Sequence, residues 1–134
     1  LQTSVNIADQ EPADLTLPKA QEAQMGVIAK RPIANVAWKY TDEESAKGQY
    51  AYPYWQRLQK LQYSFLQSPE AVATALRFTL SLPGVHTAIV GTQNPDRWQS
   101  NAALLEAGPL SPTELQAIRN RWHEVCQPDW TGQG

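Results

Sequence analysis

The sequence predicts an α/β chain with parallel strands, best understood as a piece of a larger barrel. Three observations carry that expectation. Apolar or alternating runs suited to strands recur at residues 1–7, 27–31 and 87–90. Helical patterns stand between and after them. Strands that alternate with helices imply right-handed crossovers and parallel pairing. So few parallel strands would leave bare sheet edges, which are prone to unwanted pairing. A small doubly wound domain is conceivable, but a barrel segment fits the alternation better.

Composition bounds the function. A length of 134 residues suggests a single domain, and 42% hydrophobic residues allow a packed core. The net charge is -2 and the basic residues are scattered, which gives no electrostatic case for nucleic acid. Cys126 is the sole cysteine, so no internal disulfide forms, in keeping with a reducing, cytoplasmic setting. No run of about 18 apolar residues is present, so no membrane partner is expected. Leu-Gln-Thr-Ser-Val-Asn-Ile has neither a basic leader region nor an initiator Met, and it reads like the middle of a protein.

Taken in order, residues 1–7 place Val5 and Ile7 on one strand face. Residues 9–17, with Pro12 and acidic side chains, suggest a loop. Residues 18–24 are good helix formers with Pro18 at their start. Val27 to Arg31 forms the second strand, stopped by Pro32. Residues 33–55 make a long irregular loop holding Trp38, Tyr40 and the cluster Tyr50, Tyr52, Pro53, Tyr54, Trp55. Those rings either wall a pocket or fasten the loop to the body. Residues 57–66 carry Leu58, Leu61 and Phe65 at helical spacing. Ser68-Pro69-Glu70 starts the next helix, with Val72, Ala75, Leu76, Thr79 and Leu80 as its stripe and Pro83-Gly84 as its end. Ser111 and Glu114 form a capping box, stapled by Leu110 and Leu115. Leu115, Ile118, Trp122 and Val125 give the last helix its buried face. The tail, 128–134, is expected at the surface or over another part of the chain.

The stretch from His86 to Asn101 is the chemical centre. Thr87 to Val90 reads as a strand buried on both faces, Gly91 breaks it, and Asn94-Pro95 starts a helix that runs to about Ala107. Free helix N–H groups, Gly91, the Thr92 hydroxyl and the Arg97 fork would together suit a phosphate. Asn101 follows Arg97 by four residues, on the same helix face. The plainer alternative is an Asn-Pro helix start with a solvated Arg.

Met25-Gly-Val-Ile-Ala-Lys-Arg-Pro-Ile-Ala-Asn, Ala75-Leu-Arg-Phe-Thr-Leu, Pro83-Gly-Val-His-Thr-Ala-Ile-Val-Gly-Thr-Gln-Asn-Pro and Gly108-Pro-Leu-Ser together resemble the C-terminal half of the aldo-keto reductases. The resemblance spans essentially the whole chain and is thinnest over the long loop. It implies the C-terminal portion of a (β/α)8 TIM barrel, with NADPH bound in extended form at the carboxyl ends of strands six to eight. It places Gln2 against the nicotinamide carboxamide, and Lys30, Arg31, Pro32, Ile33 and Asn35 beside the nicotinamide and pyrophosphate. Gly91, Thr92 and Gln93 would hold the 2′-phosphate and ribose, with Arg97 and Asn101 clamping phosphate and adenine. Lys30 departs from the aromatic ring that the family often stacks on nicotinamide. A stacked aliphatic stem, or a phosphate contact by Lys30 or Arg31, would replace it. Ser100 replaces a frequent acid, which removes one adenine contact.

The family's catalytic Asp, Tyr, Lys and His match nothing here, so no catalytic residue is assigned. His86 precedes a strand and His123 lies on the last helix, and neither is read as catalytic. The implied function is NADPH-dependent reduction of a small-molecule carbonyl, completed by an absent N-terminal half. This chain, a single partial domain over 1–134, is expected to be inactive alone. The alternatives are a non-catalytic half-barrel that binds nucleotide or self-associates through open sheet edges, and an unrelated small α/β domain.

Overall fold

A computed structural model of the chain describes residues 1–133. Its centre is a parallel sheet of three strands: β1 (Gln2–Ser4), β2 (Ile28–Lys30) and β3 (Thr87–Ile89), in that order. Gln2, Ile28 and Thr87 are in register at one end, and Ser4, Lys30 and Ile89 at the other. Thr3, Ala29 and Ala88 lie between these rows and face the opposite way. Ala29 is fully buried, which identifies that side as the one packed under helices. The other face is exposed at Gln2, Thr87 and Ile89.

The elements largely follow the sequence pattern, with four corrections. Helix α1 covers Glu11–Glu22 and begins well before Pro18. Pro12 sits in its first turn, where a missing N–H costs nothing, so the stretch read as a loop is the helix start. Segment 33–55 is not irregular throughout. It holds a broken 3₁₀ segment at Ala34–Lys39 and a short helix, α2 (Glu43–Ala46), and the aromatic cluster opens helix α3 (Tyr52–Leu61). Pro53 again marks a first turn rather than a loop. Asn94 is not the cap of the helix after β3. That helix, α5, is Arg97–Leu104 with Asp96 at its cap, and a 3₁₀ turn continues it to Ala107. Asn94 instead braces the preceding turn, its Oδ1 accepting from Asp96 N at 3.0 Å. Finally, β3 is not buried on both faces: Thr87 and Ile89 are exposed, with Ile89 at 51%.

Helices α4 (Ala71–Ser81) and α6 (Pro112–Val125) supply much of the core through Ala75, Leu76, Phe78, Ile118 and Trp122. The capping box at Ser111 and Glu114 forms as the spacing predicts. The aromatic cluster divides by position. Tyr54 is buried, Trp55 donates from Nε1 to the Tyr40 carbonyl at 3.0 Å, and Tyr52 stacks on Trp55; these fasten the segment to the body.

The tail lies over the carboxyl end of β1. Trp130 is buried against Trp122, Thr131 O accepts from Arg57 Nη2 at 2.8 Å, and Gln133 N donates to Asp9 Oδ2 at 3.1 Å. Beneath it, Asp9 is fully buried, with Oδ1 3.5 Å from Arg57 Nη1. Burial pushes the Asp9 carboxyl from 3.8 up to about 6, against the pull of the Gln133 N–H and Arg57. The folded chain therefore holds a proton that the unfolded chain releases between those values. On this account stability falls as pH rises from about 4 to about 6, then levels off. Urea midpoints across that range check it: Asp9→Asn flattens this part of the slope, and an unchanged slope would refute the assignment.

Candidate cofactor cleft

The carboxyl ends of β2 and β3 splay into an open cleft of about 480 Å³. One wall is Lys30, Arg31, Pro32, Ile33, Asn35 and Val36, and the other is Ile89, Val90 and Gly91. The first wall is strained. Arg31, Ala34, Asn35 and Val36 all have φ near +50°, between 47° and 53°. For Val, branched at Cβ, this is a genuine outlier. Such residues cost of order 1–3 kcal/mol each and cluster where function requires a particular backbone path. The path is held from behind: Thr79, placed in the apolar stripe by its spacing, is buried and donates its hydroxyl to the Pro32 carbonyl at 2.8 Å.

The wall's polar groups differ in how far they are engaged. Arg31 Nη1 donates to Ser4 Oγ at 2.5 Å and to the Gln133 carbonyl at 2.7 Å, and its guanidinium lies 5.0 Å from the centre of the exposed Tyr50 ring. A phosphate contact by Arg31 would have to compete with these. Lys30 is half-buried, and among the described residues its ammonium has no hydrogen-bond or ion-pair partner. The Asn35 Nδ2 is buried without a partner. Among the described residues, no acidic side chain lines the cleft.

The loop after β3 is exposed from Gly91 onward. Thr92 closes a local turn, its Oγ1 donating to Asn94 O at 3.2 Å and accepting from Asn94 N at 3.1 Å. A Cβ on Gly91 would meet nothing within 4 Å, so the space beside it is open. Gln93 is exposed. Arg97 opens α5, exposed and without a side-chain partner among the described residues. Asn101 lies one turn further on, in a second cavity of about 300 Å³ together with Trp98, Leu105 and Leu76.

The structure thus gathers Lys30, Arg31, Pro32, Ile33, Asn35 and Gly91 around one space and sets Asn101 in the neighbouring one. Gln2 is not in the cleft. It shares a sheet face with Lys30, but it sits in the row at the amino end of the strands. Val36, Ile89 and Val90 complete the lining and were missed by sequence. The two β3 residues adjoin Gly91 and follow from its strand-end position, whereas the left-handed Val36 has no local signal. His86 has a backbone role, its Nδ1 accepting from Val27 N at 3.2 Å. His123, exposed on α6, faces Asp14 at 3.3 Å.

Parallel strands, helices on one side and a cleft at the carboxyl ends of the strands define this as part of a (β/α)8 barrel. The Aldo/keto reductase family model matches residues 1–122, and the chain belongs to that family. Among solved structures it is similar to an aldo-keto reductase from Bacillus halodurans in its apo form, with 22% identity and a TM-score of 0.72. That alignment covers 96% of this chain and 45% of the other. The holo form of the same enzyme aligns at 21% identity and a TM-score of 0.68, over 96% of this chain and 44% of that one. The chain therefore spans less than half the length of these structures. No curated protein sequence matches it.

Proposed function

We propose that the protein is an NADPH-dependent aldo-keto reductase that converts a carbonyl to an alcohol, and that this chain is the C-terminal, cofactor-binding half of its barrel. The observation that carries the reading is the cleft at the carboxyl ends of β2 and β3, lined among the described residues by two cations and by no acidic side chain. Such a lining suits an anionic dinucleotide. Lys30, Pro32, Ile33 and Asn35 would lie beside the nicotinamide and pyrophosphate, with Arg31 behind them and Gln2 below on the same sheet face. Gly91, Thr92 and Gln93 would hold the ribose, Arg97 the 2′-phosphate and Asn101 the adenine. When bound, NADPH supplies a hydride. The chain's own residues bind and orient, and none of them is assigned to protonate the carbonyl oxygen. That acid would come from the half of the barrel outside this chain, together with most of the substrate pocket.

The test compares the 134-residue chain with the complete protein, following NADPH absorbance in the presence of an aldehyde. Turnover by the complete protein and none by the chain is expected. Turnover by the chain alone would overturn the half-barrel reading, and none by the complete protein would overturn the reductase reading.

The exposed Ile89 and Trp98 beside the sheet edge at β3 favour one second reading, a non-catalytic half-barrel that pairs with itself. Light scattering separates the two: a defined dimer of the chain supports self-pairing, and aggregation supports a piece of the enzyme.

A further inference from the structure

We propose that Lys30 and Asn35 form an anion subsite that selects the substrate, so that the favoured carbonyl compound carries a carboxylate. The inference rests on the reductase reading above. Lys30 ends β2 in the row Ser4, Lys30, Ile89, on the sheet face that remains exposed at Gln2, Thr87 and Ile89. Lys30 is half-buried as a residue, and among the described residues no carboxylate lines the cleft and none partners the Lys30 ammonium. The neighbouring cation is already engaged: Arg31 is shared among Ser4, the Gln133 carbonyl and the Tyr50 ring. Lys30 is therefore the cation left facing the cleft. On the same wall the Asn35 Nδ2 is buried and unpartnered, on left-handed backbone at φ 52°.

An unneutralised ammonium on the cleft wall and a buried amide donor without an acceptor both favour an anion there. One anionic acceptor would satisfy both. The reduced nicotinamide ring present when the carbonyl compound binds is uncharged, so it leaves the Lys30 charge unneutralised. A substrate carboxylate would neutralise Lys30 and accept from Asn35. The carbonyl would then be held at a fixed distance from the anchored end. Lys30 at the cleft wall would thus shift preference from neutral aldehydes to acidic ones.

The test uses the complete protein with 4-carboxybenzaldehyde and methyl 4-formylbenzoate, which differ in charge and little in shape. The readout is the ratio of kcat/KM for acid over ester. The wild type is expected to favour the acid. Lys30→Met is expected to lower the ratio at least tenfold, and Lys30→Arg to keep most of it. An unchanged ratio in Lys30→Met overturns the proposal, as does an unchanged ratio with weakened NADPH binding, which would assign Lys30 to the pyrophosphate. Benzoate binding by calorimetry without cofactor is a separate arm. Tenfold weaker binding in both Lys30→Met and Asn35→Ala supports the subsite, and binding equal to wild type overturns it. Failure to reduce either aldehyde, with benzoate binding still dependent on Lys30, would sink the reductase reading and leave the anion subsite standing.

Discussion

Arg57→Ala is expected to cost about 3–5 kcal/mol of folding stability at neutral pH, because it strands a buried charge. Arg57 is 5% exposed and donates to the Ala8 carbonyl at 3.1 Å and to Thr131 O at 2.8 Å. Its guanidinium also faces the fully buried Asp9 across 3.5 Å and lies over the Trp130 ring at 5.6 Å. Truncation leaves two carbonyls without a donor and Asp9 without its cation. The Asp9 carboxyl, already raised to about 6 by burial, would then climb further. The loss is accordingly smaller at pH 5, where Asp9 is already largely protonated, than at pH 7.5. Urea unfolding at both values reads this as a midpoint shift of more than about 1 M at the higher pH. Arg57→Lys is expected to fall in between, since it restores charge without the two-pronged donor. An equal loss at both pH values would show that packing, not charge, dominates.

Arg97→Ala is expected to weaken NADPH binding to the complete protein by about 30-fold or more while leaving NADH within about twofold. The figure is that of a lost charged hydrogen bond to phosphate, about 2 kcal/mol. Arg97 has the position for it: it opens α5, where free N–H groups also favour an anion, and no acid holds its side chain. Fluorescence titration with both nucleotides checks the expectation, and parallel losses would place Arg97 away from the 2′-phosphate.

Local chemistry made most elements legible. The capping box at Ser111 and Glu114 and the β-branched run at Thr87 each act over a few residues, and each element appears in the fold. The helix expected to start at Ser68-Pro69-Glu70 is also there, but it begins at Ala71 with Glu70 at its cap, and Ser68 instead accepts from Glu70 N in the turn before it. Proline misled in both directions. Pro12 and Pro53 fall in stretches that read as loops, yet they sit in first turns, and Pro18, which reads as a helix start, is tolerated inside α1. Position relative to the helix start decides the matter, and that start was invisible in a stretch with no strong cap. The candidate site was legible where residues adjoin in sequence, as from Lys30 to Asn35. Its strain was not, because the left-handed path through Asn35 and Val36 depends on distant groups such as Thr79. The misreading of β3 has a different origin. A run rich in Thr, Ile and Val reports what the strand is built to meet, and in a full barrel the inner face of Thr87 and Ile89 would be covered by other strands.

The tail's hold on the start of the chain also bears on the order of assembly. Ser4, Asp9 and Glu11 bind backbone groups of Gly132 and Gln133, more than 120 positions away. A ribosome releases the early residues first, so Asp9 and Arg57 would remain hydrated until the late ones emerge. Once β1, β2 and β3 have paired, most of that separation is already closed, and little loop entropy remains to be lost when the tail docks. Docking of the strap is then a late, committing step, one that locks an already formed sheet rather than nucleating it.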